Sequence, residues 1–388
     1  MDFNLSEEQL AFQQAARDFA QGEMAPKAEE WDEKKIFPVD AFKAAGALGF
    51  MGMYCGSECG GLGLSRMDTA IILEELAAGC TSTAAFISIH NMCAWMLSTW
   101  GSDRVKGEWA EALTSGQKLA SYCLTEPGAG SDAGNLRTQA KLDGGDYVLN
   151  GSKVFISGAG STDVLIVMAR TGSTEIGAAG ISAFAVPANT AGIEFGKNEI
   201  KMGWNSQPTR TISFDDARIP ADAMLGSEGE GFKIAMKGLD GGRINIATCS
   251  VGAAQATINH AQAYMHERKQ FGQSLANFQA LQFKLADMVT ELVAARQMIR
   301  LAAYKLDTND PEKTTYCAMA KRFATDTGFE VCNQAMQLHG GYGYIREYPI
   351  ERFFRDARVH QILEGTNEVM RLITSRRVLA EDGTEAIR

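Results

Sequence analysis

Tyr122-Cys123-Leu124-Thr125-Glu126-Pro127-Gly128-Ala129-Gly130-Ser131-Asp132 is the stretch at which the chain changes character. Before it the apolar residues follow a helical period; after it come short strands bounded by turn residues. Two glycines and a proline fix a loop here whose amides can point outward. With Thr125 and Ser131 they can hydrogen-bond a flat heteroaromatic ring or a phosphate. A plain connecting loop is an equal alternative. The change of period, reversed about a hundred residues later, predicts three domains: helical over 1–120, β over 121–228, helical again over 229–388.

Upstream, Ser6-Glu7-Glu8-Gln9 fits a capping box, in which Ser and Gln side chains satisfy free amides at a helix start. Phe12, Ala15, Ala16 and Phe19 follow on one helical face. Pro26 and Pro38 bracket a connector, and Asp40 to Gly46 reads as a short helix ending at glycine. After a Gly-rich loop from Gly56 to Gly63, residues 67–78 and 83–98 read as two apolar helices. The second is apolar nearly all round, which predicts burial on several sides.

Downstream, Asp146 to Ser157 contains Asn150-Gly151, a pair that accepts the positive φ angles of a tight turn, so two short strands are expected around it. Val164 to Ala169, Ile181 to Val186 and Arg210 to Phe214 read as further strands, with a loop at 171–180. Strands in this succession suggest a sandwich or barrel. From about 229 the segments 230–265, 278–305, 311–338 and 360–380 read as long helices, the outline of a four-helix bundle. Leu285, Met288, Val289, Leu292 and Ile299 mark one face. Breaks fall at Lys269–Ser274 and Asp307–Pro311.

The chain has 388 residues, 45% of them hydrophobic, and a formal net charge of -10. Phosphate affinity needs a basic surface, so a general nucleic-acid partner is not expected. No apolar run reaches the roughly 20 residues of a membrane helix. The acidic start predicts a soluble interior compartment, cytoplasmic in a bacterium or mitochondrial matrix for a mature eukaryotic form. Eight scattered cysteines and five histidines complete no ligand set, which predicts reduced thiols and no metal.

Four further motifs have chemistry-bearing residues. In Arg268-Lys269-Gln270-Phe271-Gly272, Arg268 can bind a pyrophosphate and Phe271 can cover an apolar ring; alone, Arg268 is more simply a solvated cap. Gln337-Leu338-His339-Gly340-Gly341-Tyr342-Gly343 allows backbone to approach a ligand, or is a helix C-cap and turn. In Gly238-Leu239-Asp240-Gly241-Gly242-Arg243, Asp240 and Arg243 can share a face, as a site or as a surface ion pair. Lastly, Val359, Ile362 and Leu363 lead to Glu364, followed by Gly365 and Thr366. A carboxylate at a backbone break with an apolar wall has a raised pKa and can act as a base near neutrality. On this stretch alone, an ordinary surface helix residue is the simpler reading. No Gly-x-Gly-x-x-Gly after a strand, Walker loop or Gly-x-Ser-x-Gly elbow is present.

Taken together and in this order, the motifs resemble the acyl-CoA dehydrogenase family. Tyr122–Asp132 looks like its first signature; Gln337–Gly341 and Glu364-Gly365-Thr366 look like its second, with matching spacing from about residue 5 to 380. Cys80–Thr83, Ser88–Trp95, Gly203–Thr209 and Val359–Gly365 point, within the family, to the isobutyryl-CoA branch. The resemblance implies an α+β fold: an N-terminal α-helical domain, a central β-barrel or sandwich, and a C-terminal four-helix bundle, in a homotetramer or at least a dimer. It implies FAD, with Tyr122, Leu124, Thr125, Ser131, Phe155 and Ser157 at flavin- or substrate-facing positions; many relatives have Trp in place of Phe155. Arg268, Phe271, Gln279, Gln337, Gly340 and Gly341 match residues that reach the FAD of a neighbouring subunit. Thr366 and Glu368 match adenine-side contacts.

Asp240, Arg243, Ser131 and Gly365 are implied at the substrate. Relatives place the catalytic Glu either before Gly-Thr, here Glu364, or at the place of Gly242, which has no side chain, so the resemblance assigns Glu364. The activity implied is dehydrogenation of a short branched acyl-CoA, isobutyryl-CoA to methacrylyl-CoA as in valine breakdown, with electrons passed to electron-transfer flavoprotein. Short straight-chain and 2-methylbutyryl-CoA stay open as substrates, as does a non-catalytic flavin-fold binding protein.

Overall fold

The computed structural model describes residues 4–387; residues 1–3 and 388, which the sequence reading put in the first and last domains, lie outside it. The chain begins with six helices: α1 (Glu7–Phe19), α2 (Ala28–Lys34), α3 (Val39–Ala47), α4 (Arg66–Gly79), α5 (Thr81–Trp100) and α6 (Asp103–Thr114). The Ser6–Gln9 capping box opens α1, and a second, Ser65–Asp68, opens α4. α5 is buried along most of its length, because α4, α6, the sheet and a long C-terminal helix all pack on it. Phe37, Phe42 and Phe86 meet with ring centroids 4.8–4.9 Å apart at the centre of this part. Gly46 does not end α3 as expected. It lies inside the helix, where a side chain would strike the Ser115 carbonyl.

Eight strands follow: β1 (Ala120–Cys123), β2 (Gln139–Asp143), β3 (Asp146–Ser157), β4 (Val164–Arg170), β5 (Ile181–Pro187), β6 (Ile193–Phe195), β7 (Thr209–Pro220) and β8 (Met224–Leu225). They form one sheet in the order β6-β7-β3-β2-β4-β5-β8, with β1 parallel to β4. The expected hairpin at Asn150-Gly151 is not there: β3 is a single strand of 12 residues. Its register against β7 slips between Leu149 and Gly151, which is a bulge. Gly151 is needed because Thr138 passes 2.7 Å from where a β-carbon would sit, and Asn150 exchanges hydrogen bonds with Asp216 across the bulge. The turn lies instead at Gly144-Gly145, between β2 and β3. The first strand begins at Ala120, so Tyr122 and Cys123 belong to β1 and only the rest of the motif is loop.

The last part opens with α7 (Gly231–Glu267), 37 residues long. A small ribbon, β9 (Lys269–Gln270) and β10 (Gln273–Ser274), then leads to α8 (Gln279–Asp307) and α9 (Lys313–His339). The expected helix over 360–380 is divided. α10 (Ile350–Arg358) precedes it, a short turn spans the interval, and α11 (Asn367–Val378) starts only after Glu364-Gly365; a short α12 (Gly383–Ala386) ends the chain. The helices α7, α8 and α9 share one apolar core, with Met288, Leu292 and Ile299 of α8 facing inward. Val289 is 42% exposed, so the α8 face is narrower than expected. Another core joins α5, α6, the sheet and the start of α7, and the site lies at that junction. All eight cysteines are free and buried. No described helix is long and apolar enough to cross a membrane.

Candidate active site

Glu364 sits on the turn between α10 and α11 with φ 54, and Gly365 follows with φ 90. Both angles are left-handed, a region that side-chain-bearing residues avoid. The turn is closed on the α11 side by Thr366, whose Oγ1 accepts from the Val369 amide at 3.3 Å and caps the helix. The Glu364 carboxylate points inward, and its buried Oε2 has no hydrogen-bond partner. Burial pushes this carboxyl up to about 7, against the pull of Lys321 and Arg243. The apolar wall expected from its own segment is partly there. Val359 and Leu363 pack inward, but Ile362 is 52% exposed.

The wall that matters comes from the other side. On α7, Gly238 and Gly242 leave a bare strip facing α5. A β-carbon on Gly242 would strike Glu364 Oε2 and lie 3.4 Å from Met92 Sδ; one on Gly238 would strike Met96. On the same helix, Asp240 and Arg243 form an ion pair of 2.7 Å. It is buried rather than on the surface as an i, i+3 pair would suggest. Asp240 also accepts from Thr314 Oγ1 at 2.7 Å, while Arg243 Nε has no partner. Tyr122 brings a third buried polar atom without a partner, its hydroxyl, held in protonated form because burial raises its pKa well above the usual value. A carboxylate, a guanidinium and a phenol thus converge on one region with hydrogen-bonding capacity unspent. Buried polar atoms are nearly always paired, so such a group marks a ligand site.

The loop after Tyr122 is held by a buried ion pair. Lys153 Nζ donates to Glu126 Oε1 at 2.8 Å and to the Leu124 carbonyl at 3.0 Å. Glu126 also accepts from the amides of Arg137 and Thr138 at 2.6 and 2.9 Å. The Thr125 carbonyl accepts from the Val154 amide, which pins the loop to β3. Across from it Phe155 stands at φ 59 and is 69% exposed. Leu124 is buried, Thr125 and Ser157 are half-buried, and Ser131 is exposed at the loop's far end. An open ring at Phe155 beside half-buried hydroxyls, with the Tyr122 phenol lacking a partner, suits a flat, polar-edged ligand.

Arg268, Phe271, Gln279, Gln337, Gly340 and Gly341 are exposed and gather at the far end of the helical bundle. Phe271 is 93% exposed, and Arg268 stacks over Tyr342 at 5.4 Å. Between Gly242 and Arg268, α7 rises roughly 39 Å. Within one chain these residues are therefore not brought to the Glu364 region. Thr366 lies beside Glu364 as a helix cap, whereas Glu368 is solvent-exposed.

Three residues of the site escape the motif reading: Lys153, Lys321 and Met92. Lys321 is fully buried. It falls on the inward face of α9 with Cys317, Ala324 and Gly328, and a lysine on an apolar face is the signal that a partner must be near. Lys153 gives the same signal on β3. Met92 is hidden in a uniformly apolar helix and gives none. Among the described residues no group of His, Cys, Asp and Glu is arranged to hold a metal.

The acyl-CoA dehydrogenase family models match in three parts: the N-terminal domain over residues 6–117, the middle domain over 121–217 and the C-terminal domain over 229–379. The mitochondrial isobutyryl-CoA dehydrogenase of Bos taurus is 54% identical over 377 residues, covering 97% of this chain and 90% of that protein. Butyryl-CoA dehydrogenase from Megasphaera elsdenii superposes with a TM-score of 0.94 at 40% identity, over 98% of this chain and all of that one. The FAD complex of PigA superposes with a TM-score of 0.93 at 29% identity, over 97% and 99% of the two chains.

Proposed function

The chain belongs to the acyl-CoA dehydrogenase family, and from that premise we propose that it dehydrogenates isobutyryl-CoA to methacrylyl-CoA, with Glu364 as the base. It is an oxidoreductase that uses FAD. The Tyr122–Asp132 loop and Phe155 would hold the FAD, which would supply the acceptor for the hydride that leaves the β-carbon. The observation that carries the reading is the unpartnered Glu364 Oε2, enclosed opposite Gly242 and Met92.

Glu364 takes the α-proton onto its carboxylate. A carboxyl near 7 is a far better base than an exposed one, and about half of it is ionised at neutral pH. The α-carbon of a thioester is weakly acidic, so the negative charge that develops on the thioester oxygen must meet donors already in place. The Glu364 backbone amide is the proposed donor from this chain. Asp240 and Arg243 hold the CoA-bearing end at the pocket mouth, with Ser131 and Gly365 along the same path. The buried ion pair keeps Arg243 fixed while its Nε remains free to bond. Met92 covers the carboxylate, and with Met96 beside Gly238 it limits room for the acyl group, which favours a short substrate.

The flavin site is proposed to be completed by a neighbouring copy. Arg268, Phe271, Gln279, Gln337, Gly340 and Gly341 lie too far from Glu364 in their own chain, yet are exposed and chemically suited to a pyrophosphate and a ring. A homotetramer, or at least a dimer, meets that need. Electrons then pass to electron-transfer flavoprotein, in the mitochondrial matrix or the bacterial cytoplasm according to source.

Glu364→Gln tests the base. The variant keeps its yellow colour and binds isobutyryl-CoA, but the substrate no longer bleaches the flavin; brisk bleaching overturns the assignment. Turnover across isobutyryl-, 2-methylbutyryl- and butyryl-CoA tests the substrate. A methylene is worth about 1–3 kcal/mol of discrimination, so a straight-chain preference shows as a clear reordering of kcat/KM. Peroxide formed in air without an added acceptor would identify an oxidase instead.

A further inference from the structure

Lys321 lies behind the Glu364-Gly365 turn, on α9, with no exposed surface. Its Nζ donates to the Gly365 carbonyl at 2.8 Å and to Asn367 Oδ1 at 2.9 Å. Asn367 is itself held to α9: its Nδ2 donates to Asp326 at 2.7 Å and reaches Thr325 Oγ1 at 3.0 Å. Gln361, on the other side of the turn, donates to the same Asp326 carboxylate at 2.8 Å. Both limbs of the turn that holds Glu364 are thus tied to one short segment of α9, residues 321–326.

We propose that Lys321 is a positioning residue for the base: its ammonium fixes the strained Glu364-Gly365 turn through the Gly365 carbonyl and presents a positive charge to the carboxylate. The inference rests on the reading of Glu364 as the base. A left-handed Glu followed by a left-handed Gly has little intrinsic preference for one geometry, and a strained turn persists only where its surroundings hold it. The Gly365 carbonyl is the point at which the two limbs divide, so anchoring it sets the plane from which the carboxylate is aimed.

Two cations act on Glu364, Lys321 and Arg243. Arg243 is paired with Asp240, so much of its charge is spent. Lys321 spends its hydrogen bonds on two neutral oxygens, and its charge is the less compensated of the two. The groups facing the pair are Arg243 and Cys249 of α7, Tyr122 of β1, His360 of the turn, Asp326 of α9 and Glu368 of α11. Burial pulls the Lys321 ammonium down to about 8, while Glu364 acts to raise it. It is therefore charged where the carboxylate must lose its proton. Removing the charge raises the Glu364 pKa and moves its use as a base to higher pH.

The test uses the full flavoprotein and reads kcat/KM against pH together with hydrogen exchange at the amides of residues 364–367. In Lys321→Met, which keeps length without charge, the acidic limb is expected to move up by about one pH unit and exchange in the turn to quicken. In Lys321→Arg the limb stays close to its original place. A folded, yellow Lys321→Met with an unmoved limb overturns the proposal. Should Lys321→Met not fold, Asn367→Ala decides: it loosens the turn without touching the charge, so kcat falls, exchange quickens and the limb holds. Unchanged kcat and exchange in Asn367→Ala overturn the proposal too. Turnover by Glu364→Gln in the same assay would instead show that the base had been misassigned.

Discussion

Gly242 on α7 faces Glu364 so closely that a β-carbon there would strike Oε2 of the carboxylate. Position 242 and the carboxylate of the proposed base therefore address the same point in space. A side chain at 242 would push the carboxylate from its place. Gly242 is bare because Glu364 occupies its room.

Gly242→Ala should accordingly separate activity from stability. Alanine is the better helix former, by about 1 kcal/mol, and the struck atom is the end of a flexible side chain. The carboxylate must move aside, and a misplacement near 1 Å can cost about 100-fold in rate. The expected result is a melting temperature at or slightly above that of the parent, with kcat/KM down by about that factor. Gly242→Glu combined with Glu364→Gly should recover part of the loss. Full activity in Gly242→Ala would overturn the close fit of Gly242 against the carboxylate as a requirement of catalysis.

The pH profile follows from the burial of Glu364. Its carboxyl stands at about 7 in the folded site, against about 4.3 for an exposed Glu. Only the ionised form accepts a proton, so kcat/KM should pass through half its maximum near pH 7, level off well above it and fall about tenfold per unit well below it. The sign for stability is the reverse. A carboxyl whose pKa is raised on folding stabilises the fold at low pH and loses that contribution as pH rises through 7. The buried Asp356, also pushed up to about 7, acts the same way. His90 and His360, pulled down by burial to about 4 and 3, act oppositely, losing their contribution as pH falls below about 6.5. Initial rates from pH 5.5 to 9 check the activity limb; denaturant midpoints over pH 4.5 to 7 should change little, since the two pairs offset each other.

Lys153→Met leaves Glu126 buried without its cation. Breaking a buried pair from one side costs about 3–5 kcal/mol. Glu126 also shapes the loop after Tyr122, so the variant should bind FAD weakly as well as unfold early. Urea titration and the flavin content of the purified protein report the two effects. A drop in stability with full flavin content would detach the ion pair from the loop.

Arg268→Ala and Glu364→Gln should each be nearly inactive alone, for different reasons. If Arg268 serves the flavin of a neighbouring copy, a hybrid of the two holds one site with both residues intact. Hybrids purified through two different tags should then turn over at about half the wild-type rate, the share expected of one live site in a symmetric pair. Hybrids as inactive as their parents would place each site within a single chain.

The three-part order of the fold was legible because each part repeats its own period for many residues. Single-residue features were not. Asn150-Gly151 carries the marks of a hairpin turn, yet it forms a bulge, because Thr138 and Asp216 lie close by in space and are distant in sequence. Glu364 could be found from the glycine after it, but nothing local showed that its environment is made by Met92, some 270 residues earlier. Gly242 carried a visible meaning only through the resemblance; the collision that explains it is a property of two elements packed together. Lys321 was the more readable of the hidden residues, since a charge on an apolar helix face demands an explanation by itself.

The proposed base stands on a turn between α10 and α11, while the surface it faces is cut into α5 and α7. On the proposed function, proton transfer and fit to the acyl group are thus inherited on different elements. Substitutions at Met92, Met96 or Gly238 can reshape the space for a longer or more branched chain without disturbing the segment that carries the carboxylate. One scaffold can in this way diversify across substrates while its chemistry stays constant.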